Sequence, residues 1–162
     1  MTMSIRYDHL LGRPFHYGST DCYGLVRSFY HDNFNITLPN YARVEDFWNH
    51  GLNFYMDYFH ENNFRPLDDH PSEWKPGDLI LMAIRAKVAN HCAVLIERGK
   101  IIHHVVGQLS RVDDYRGLYR NTTLAVLRHK DVKLTNEQNT LELMELLPDG
   151  FRRKLPAAPQ QG

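Results

Sequence analysis

Cysteine is scarce in this chain, which has only Cys22 and Cys92 among its 162 residues. Small secreted scaffolds that depend on disulfides carry more cysteines, in even number and regular spacing, so that class is excluded. The sequence alone leaves open a single Cys22–Cys92 disulfide. Because a chain of this length can bury an adequate core, we expect one compact domain, with a short appendage, that folds without a structural metal.

Long apolar runs and an excess of one charge are also missing. No segment approaches the ~20 consecutive apolar residues of a membrane-spanning helix, so we expect no insertion into a membrane. Residues 1–11 lack an apolar stretch, so we expect no signal peptide and synthesis in the cytoplasm. The 19 basic and 19 acidic side chains cancel, which leaves no electrostatic footprint for nucleic acid.

The N-terminal half has the apolar spacing of helices. The pattern predicts a first helix that begins at Cys22, is capped by Ser19 or Thr20 and ends near residues 33–35. A second stretch, 44–62, is rich in aromatic side chains and predicts another helix, whose aromatic residues we expect to pack in or near the core.

The second half has the pattern of a sheet. After a turn at 71–78, continuous apolar runs predict buried strands at 79–84, 91–96, 101–106 and 124–127. Helices followed by antiparallel strands indicate an α+β fold. Beyond residue 129 the pattern changes to a short amphipathic helix at 135–147 and a tail that contains three prolines. We therefore divide the chain into residues 1–129 and a partner-docking segment, 130–162.

Cys22 lies where the first turn of the predicted helix begins. A thiol reacts as its thiolate, and both a helix N-terminus and a nearby histidine lower the pKa of a thiol. Backbone N–H groups of the first turn could also hold the oxyanion of an acyl-transfer transition state. Cys22 is therefore a candidate nucleophile, and the alternative is an ordinary buried thiol.

The histidines supply a candidate base. His91 begins one predicted strand and His103 lies on the next, across a connection that contains Gly99. A two-residue loop would place His104 on the face of His91, whereas a three-residue loop with a left-handed Gly99 shifts the register by one and brings His103 diagonally beside it. We therefore predict that His91 takes the thiol proton and that His103, rather than His104, orients it. Tyr17 could offer a hydroxyl to the oxyanion or the substrate.

Four short blocks follow one another along the chain. They are Asp-Cys-Tyr-Gly-Leu-Val at 21–26, Lys-Pro-Gly-Asp-Leu-Ile at 75–80, His-Cys-Ala-Val at 91–94 and Ile-Ile-His at 101–103. In this order they resemble the NlpC/P60 cysteine peptidases. The finer resemblance is to the phage tail-assembly branch of that family, carried also by Gly-Arg-Pro at 12–14, Tyr-Gly at 17–18 and the His-His pair at 103–104.

The resemblance implies a papain-like α+β fold, with N-terminal helices packed on an antiparallel sheet, and a peptidase domain over residues 1–129. It implies hydrolysis of amide bonds in peptidoglycan stem peptides by a tail-tip protein, without a cofactor and with other tail-tip proteins as partners, during tail assembly or DNA entry. The matching residues are Cys22, His91 and His103 as the catalytic set, Tyr17 at the oxyanion or substrate, and Asp21 and His104 as secondary candidates.

Two alternatives belong to other functional classes. Four residues are of types that bind zinc: His91, Cys92, His103 and His104. However, alternate residues of a strand point to opposite faces, and the chain has neither Cys-x-x-Cys nor His-Glu-x-x-His. We therefore expect no metal, and we expect Cys92 to be buried on the far face of its strand. The other alternative is a structural plug or connector of the tail tip, in which hydrolysis is dispensable.

Overall fold

A computed structural model describes residues 5–40, 54–68 and 70–132 of the chain. The predicted helix at 135–147 and the tail after it lie outside the described residues, as does the first part of the predicted helix at 44–62. The division into residues 1–129 and 130–162 therefore stays a prediction. Within the described ranges, no helix combines the length and the apolar character that crossing a membrane requires.

Helix α1 extends over Cys22–Phe34, as the apolar spacing predicted. Its N-cap is Asp21, whose side chain accepts a hydrogen bond of 2.8 Å from the backbone N–H of Gly24. The predicted cap at Ser19 or Thr20 is therefore wrong. A carboxylate suits this position better, because it both satisfies a backbone donor of the first turn and lies at the positive end of the helix dipole.

Besides two 3₁₀ helices at Asp8–Leu10 and Pro71–Glu73, the remaining described elements are two α-helices and six strands. They are α2 (Phe54–Glu61), β1 (Phe64–Pro66), β2 (Leu79–Met82), β3 (His91–Glu97), β4 (Lys100–His103), β5 (Arg111–Asp114), α3 (Leu118–Asn121) and β6 (Thr123–His129). The strands form one antiparallel sheet in the order β1-β6-β2-β3-β4-β5. The predicted α+β class, with helices before an antiparallel sheet, is confirmed. The sequence reasoning missed β1 and β5, and it extended β2 and β4 beyond their actual ends.

The centre of the sheet is buried on both faces. One face carries a cluster of alternate strand residues, which are Ile80, Met82, Ala93, Leu95, Ile101 and Val126. The intervening residues Leu81, Cys92 and Val94 are also fully buried, and α1 packs against β3 and β4. A strand that is covered on both faces has a continuous apolar sequence instead of an alternating one, which explains the run at the start of β3.

The turn that leads into β2 ends in a buried ion pair. Asp78 is fully buried and accepts hydrogen bonds from Nε and Nη2 of Arg128, at 2.8 and 2.9 Å. Its second oxygen also accepts from the backbone N–H of Lys75 at 2.8 Å. Because both carboxylate oxygens are satisfied, the charge can be buried, and the Lys-Pro-Gly-Asp block therefore joins the turn to β6.

Candidate active site

Cys22 is the first residue of α1 and is held there by the loop before it. A Cβ atom at Gly24 would lie 1.8 Å from the carbonyl oxygen of Ser19, so only glycine allows the loop to lie against the first turn. The cap residue Asp21 also accepts a hydrogen bond of 2.9 Å from the N–H of Gly18. The loop and the helix are thus joined on both sides of Cys22, which limits the movement of its side chain.

The hairpin of β3 and β4 brings two histidines together. Gly99 in its turn is left-handed, with a φ of +73°, and a one-residue shift of register beside the turn places Ala93 opposite His103. His91, two residues before Ala93, therefore lies diagonally from His103 on the same face. Nε2 of His91 is 2.9 Å from Nδ1 of His103. This is the juxtaposition that the sequence predicted from a left-handed Gly99.

Three other side chains lower the pKa of the Cys22 thiol. Its pKa lies well below the usual range of a thiol, first because of a hydrogen bond from Cys92, and then because of the hydrogen bond and charge interaction with His91. The hydroxyl of Tyr55, in α2, lies 3.4 Å from Sγ and acts in the same direction. Together these interactions outweigh burial, which raises the pKa. The site therefore favours a thiolate beside an imidazole.

Cys92 is fully buried and lies on the face of β3 opposite to that of Ala93, as predicted. It is the largest cause of the lowered pKa of Cys22, which therefore depends on two consecutive residues of β3, His91 and Cys92. His91 is the first residue of that strand. Both thiols are free, so the disulfide that the sequence left open is not formed.

His103 connects the pair to a carboxylate on β5. Its Nε2 atom lies 2.6 Å from Oδ2 of Asp113. Burial first, and the charge of His91 second, lower the pKa of His103 to about 4, so its ring is neutral at neutral pH. Arg111 donates from Nε to the same carboxylate oxygen at 2.7 Å. The hydrogen bonds therefore continue from His91 through His103 to Asp113.

The sequence reasoning missed two of these residues, Asp113 and Tyr55. Asp113 lies in a polar strand, where the only signal is the alternation of Arg111, Val112 and Asp113. Tyr55 was expected only as a core aromatic, and it is indeed buried. Nothing in its local sequence separates it from the other aromatic residues of that stretch.

The substrate candidate Tyr17 and the two secondary candidates, Asp21 and His104, lie around the start of α1. Tyr17 is 37% exposed and packs edge-on against Phe15, which packs in the same way against His104. His104 lies with Nε2 at 3.0 Å from the carbonyl oxygen of Gln108, and burial is the main cause of its lowered pKa. It therefore anchors a loop. Asp21 is the helix cap, and the role of Tyr17 at the substrate stays a prediction.

Comparison with known proteins places these residues within one family. A family model described as the NlpC/P60 family matches residues 12–128. Tail tip assembly protein K of Escherichia phage N15 is 37% identical over 126 residues, which cover 76% of this chain and 51% of that protein. The protein of the same name from Escherichia phage lambda is 36% identical over 124 residues, or 75% and 60% of the two chains. The chain thus spans between half and three-fifths of these two relatives.

Solved structures show the same fold. NlpC1 from Trichomonas vaginalis superposes with a TM-score of 0.53 at 17% identity, over 77% of this chain and 41% of that one. An NlpC/P60 family protein from Bacillus cereus superposes with a TM-score of 0.52 at 21% identity, over 74% and 36% of the two chains. At this level of identity the likeness concerns the fold alone.

Proposed function

This chain belongs to the NlpC/P60 family, and we propose that it is a cysteine peptidase that hydrolyses amide bonds in peptidoglycan stem peptides. One observation carries the proposal: Cys22 begins α1, His91 is one of the causes that lower the pKa of its thiol well below the usual range, and His91 is itself hydrogen-bonded to a second histidine. A nucleophile, a base and a group that orients the base are the parts that acyl transfer through a thioester requires.

The proposed reaction uses His91 as the proton carrier. His91 takes the thiol proton, and the sulfur of Cys22 attacks the carbonyl carbon of the amide. The C–N bond then breaks, His91 returns the proton to the leaving amine, and the acyl group remains on Cys22 as a thioester. Water, deprotonated by His91, hydrolyses the thioester to a carboxylic acid and restores the thiol.

The start of α1 offers stabilisation for the oxyanion. The backbone N–H of Cys22 is in the first helical turn, where no carbonyl of the helix can accept from it. In our proposal this group and the positive end of the helix dipole hold the developing charge. Tyr17, with its exposed ring, and Tyr55, with its hydroxyl 3.4 Å from Sγ, are the side chains that could add a further donor.

The names of the curated relatives suggest the biological setting. Both are called tail tip assembly proteins, so we propose that this chain is incorporated in a phage tail tip and meets other tail proteins there. In that setting, hydrolysis would open the cell wall locally during tail assembly or DNA entry. Residues 130–162 are the segment that we propose for docking on a tail partner.

The same names favour a second candidate function. A protein that assembles a tail tip could serve as a structural plug or connector, with its peptidase chemistry dispensable. The two functions differ in what Cys22→Ala does to phage particles. A structural connector with this substitution would still give infective particles at the normal yield, whereas a required peptidase would give assembled particles that infect poorly.

The biochemical test is the release of soluble fragments from dye-labelled peptidoglycan. We expect release by the wild-type protein, and its loss in Cys22→Ala and in His91→Gln, because either change removes the nucleophile–base pair. His31→Gln is the matched control, since this histidine is on the exposed surface of α1 and hydrogen-bonds Asp32. Equal release by wild type and Cys22→Ala would refute the proposed peptidase.

A further inference from the structure

We propose that Asp113 is a positioning residue for this reaction: through His103 it sets where the two histidines carry their protons, so that His91 presents an unprotonated nitrogen to the thiol of Cys22. The inference rests on the proposed roles of Cys22 and His91, and it is independent of the substrate on which they act. It assigns a function to a carboxylate that does not belong to the candidate catalytic set of Cys22, His91 and His103.

The contact with Asp113 defines the protonated nitrogen of His103. Oδ2 of Asp113 lies 2.6 Å from Nε2 of His103. An ionised carboxylate can only accept a hydrogen bond, so Nε2 must carry the proton. Burial is the first cause that lowers the pKa of His103 to about 4, so the ring holds a single proton at neutral pH. The lone pair of His103 is therefore on Nδ1.

The same reasoning extends to His91. Its Nε2 atom lies 2.9 Å from Nδ1 of His103, which has only a lone pair to offer, so Nε2 of His91 must be the donor. Nδ1 is the ring nitrogen that remains available to the thiol, and in a singly protonated ring whose proton is on Nε2 it carries only a lone pair. The reverse tautomers would put a proton on this nitrogen, and His91 could then not take the thiol proton.

Asp113 is itself held in place. Arg111 donates to Oδ2 at 2.7 Å, and the hydroxyl of Tyr119 lies 3.4 Å from the same atom. The ring of Tyr119 also lies edge-on to that of His103, with 4.7 Å between the centroids. Burial raises the pKa of Asp113, but the hydrogen bonds from His103 and Arg111 lower it overall, so the carboxylate stays ionised at neutral pH.

The neighbouring residue is a matched control. Asp114 follows Asp113 on β5, and strand alternation sends its side chain to the other side, where it forms an ion pair with Lys100. Replacing either aspartate by alanine removes one negative charge from the same strand. Only the change at Asp113 removes the acceptor of His103.

The first measurement is nitrogen NMR of the imidazole rings at mildly alkaline pH. It compares Asp113→Ala with Asp114→Ala in a Cys22→Ala background, which removes the thiol as a proton donor to His91. We call the Cys22→Ala protein the parent. In the parent and in Asp114→Ala, we expect the rings of His91 and His103 to carry their proton on Nε2. In Asp113→Ala we expect this preference to be lost. The proposal is overturned if Asp113→Ala keeps the parent pattern, or if His91 of the parent is protonated on Nδ1. If Asp113→Ala does not fold, the spectrum of the Cys22→Ala protein still tests the proposal, because it shows which nitrogen of His91 carries the proton.

The second measurement is the rate at which iodoacetamide alkylates Cys22 in chains that keep this thiol. We expect Asp113→Ala to slow alkylation about tenfold, which corresponds to one pKa unit, and Asp114→Ala to react like the wild type. Equal rates for both variants would contradict the proposal. Neither measurement needs peptidoglycan, so a failure to cleave it would refute the proposed function and leave the role of Asp113 decided by these experiments.

Discussion

Acid should destabilise the fold through His103. This side chain is fully buried, and burial, followed by the charge of His91, lowers its pKa from 6.5 to about 4. As the pH falls, His103 is therefore protonated near pH 6.5 in the unfolded chain but only near pH 4 in the native state. The free energy of unfolding is unaffected above this window and falls by about 1.4 kcal/mol for each pH unit within it. The full loss from this one group is about 3 kcal/mol.

Urea unfolding followed by tryptophan fluorescence, at several pH values across this window, measures the effect. His103→Gln cannot titrate, so we expect its stability to change less between neutral and acid pH than that of the wild type, by about 3 kcal/mol. His104 and His129 also have lowered pKa values because of burial, but they remain in both proteins and cancel in the comparison. If His103→Gln and the wild type lose stability in parallel, the reasoning is refuted.

Three further substitutions test other parts of the account. Cys92→Ala removes the largest cause of the low pKa of Cys22, so the pH midpoint of Cys22 alkylation should rise, and an unchanged midpoint would contradict this. Gly24→Ala forces a Cβ atom to 1.8 Å from the carbonyl oxygen of Ser19. Urea unfolding should show that the free energy of unfolding falls by about 1–3 kcal/mol or more. An unchanged free energy of unfolding would contradict the close contact. Arg128→Met leaves the buried Asp78 without its charge partner, which should cost about 3–5 kcal/mol, recovered in part by adding Asp78→Asn.

The parts of the fold that the sequence predicted are those whose signal is local and apolar. Helix α1 and the central strands β2, β3 and β4 carry their own patterns of buried side chains. The edge strands β1 and β5 do not, because β1 has three residues and ends in a proline, and β5 is the polar segment Arg-Val-Asp-Asp. Such strands form by pairing with a neighbour that is already in place, which no local pattern reports.

The same distinction applies to the candidate site. Cys22 could be placed at a helix start, and His103 could be preferred to His104, because one glycine determines the register of a short hairpin. Asp113 and Tyr55 reach the site through tertiary contacts from an edge strand and a separate helix. The effect of Cys92 on the pKa of Cys22 likewise depends on the packing of α1 against β3, which strand alternation alone does not report.

The central claim is that Cys22 attacks the substrate and carries the acyl group. Intact mass spectrometry of the protein, mixed with a peptidoglycan stem peptide and quenched in acid, tests it most directly. We predict an added mass equal to the acyl part of the peptide, located by digestion on the segment that contains Cys22 and absent from Cys22→Ala. Cleavage of the peptide by Cys22→Ala at the wild-type rate, with no adduct on Cys22 in the wild-type protein, would contradict the account.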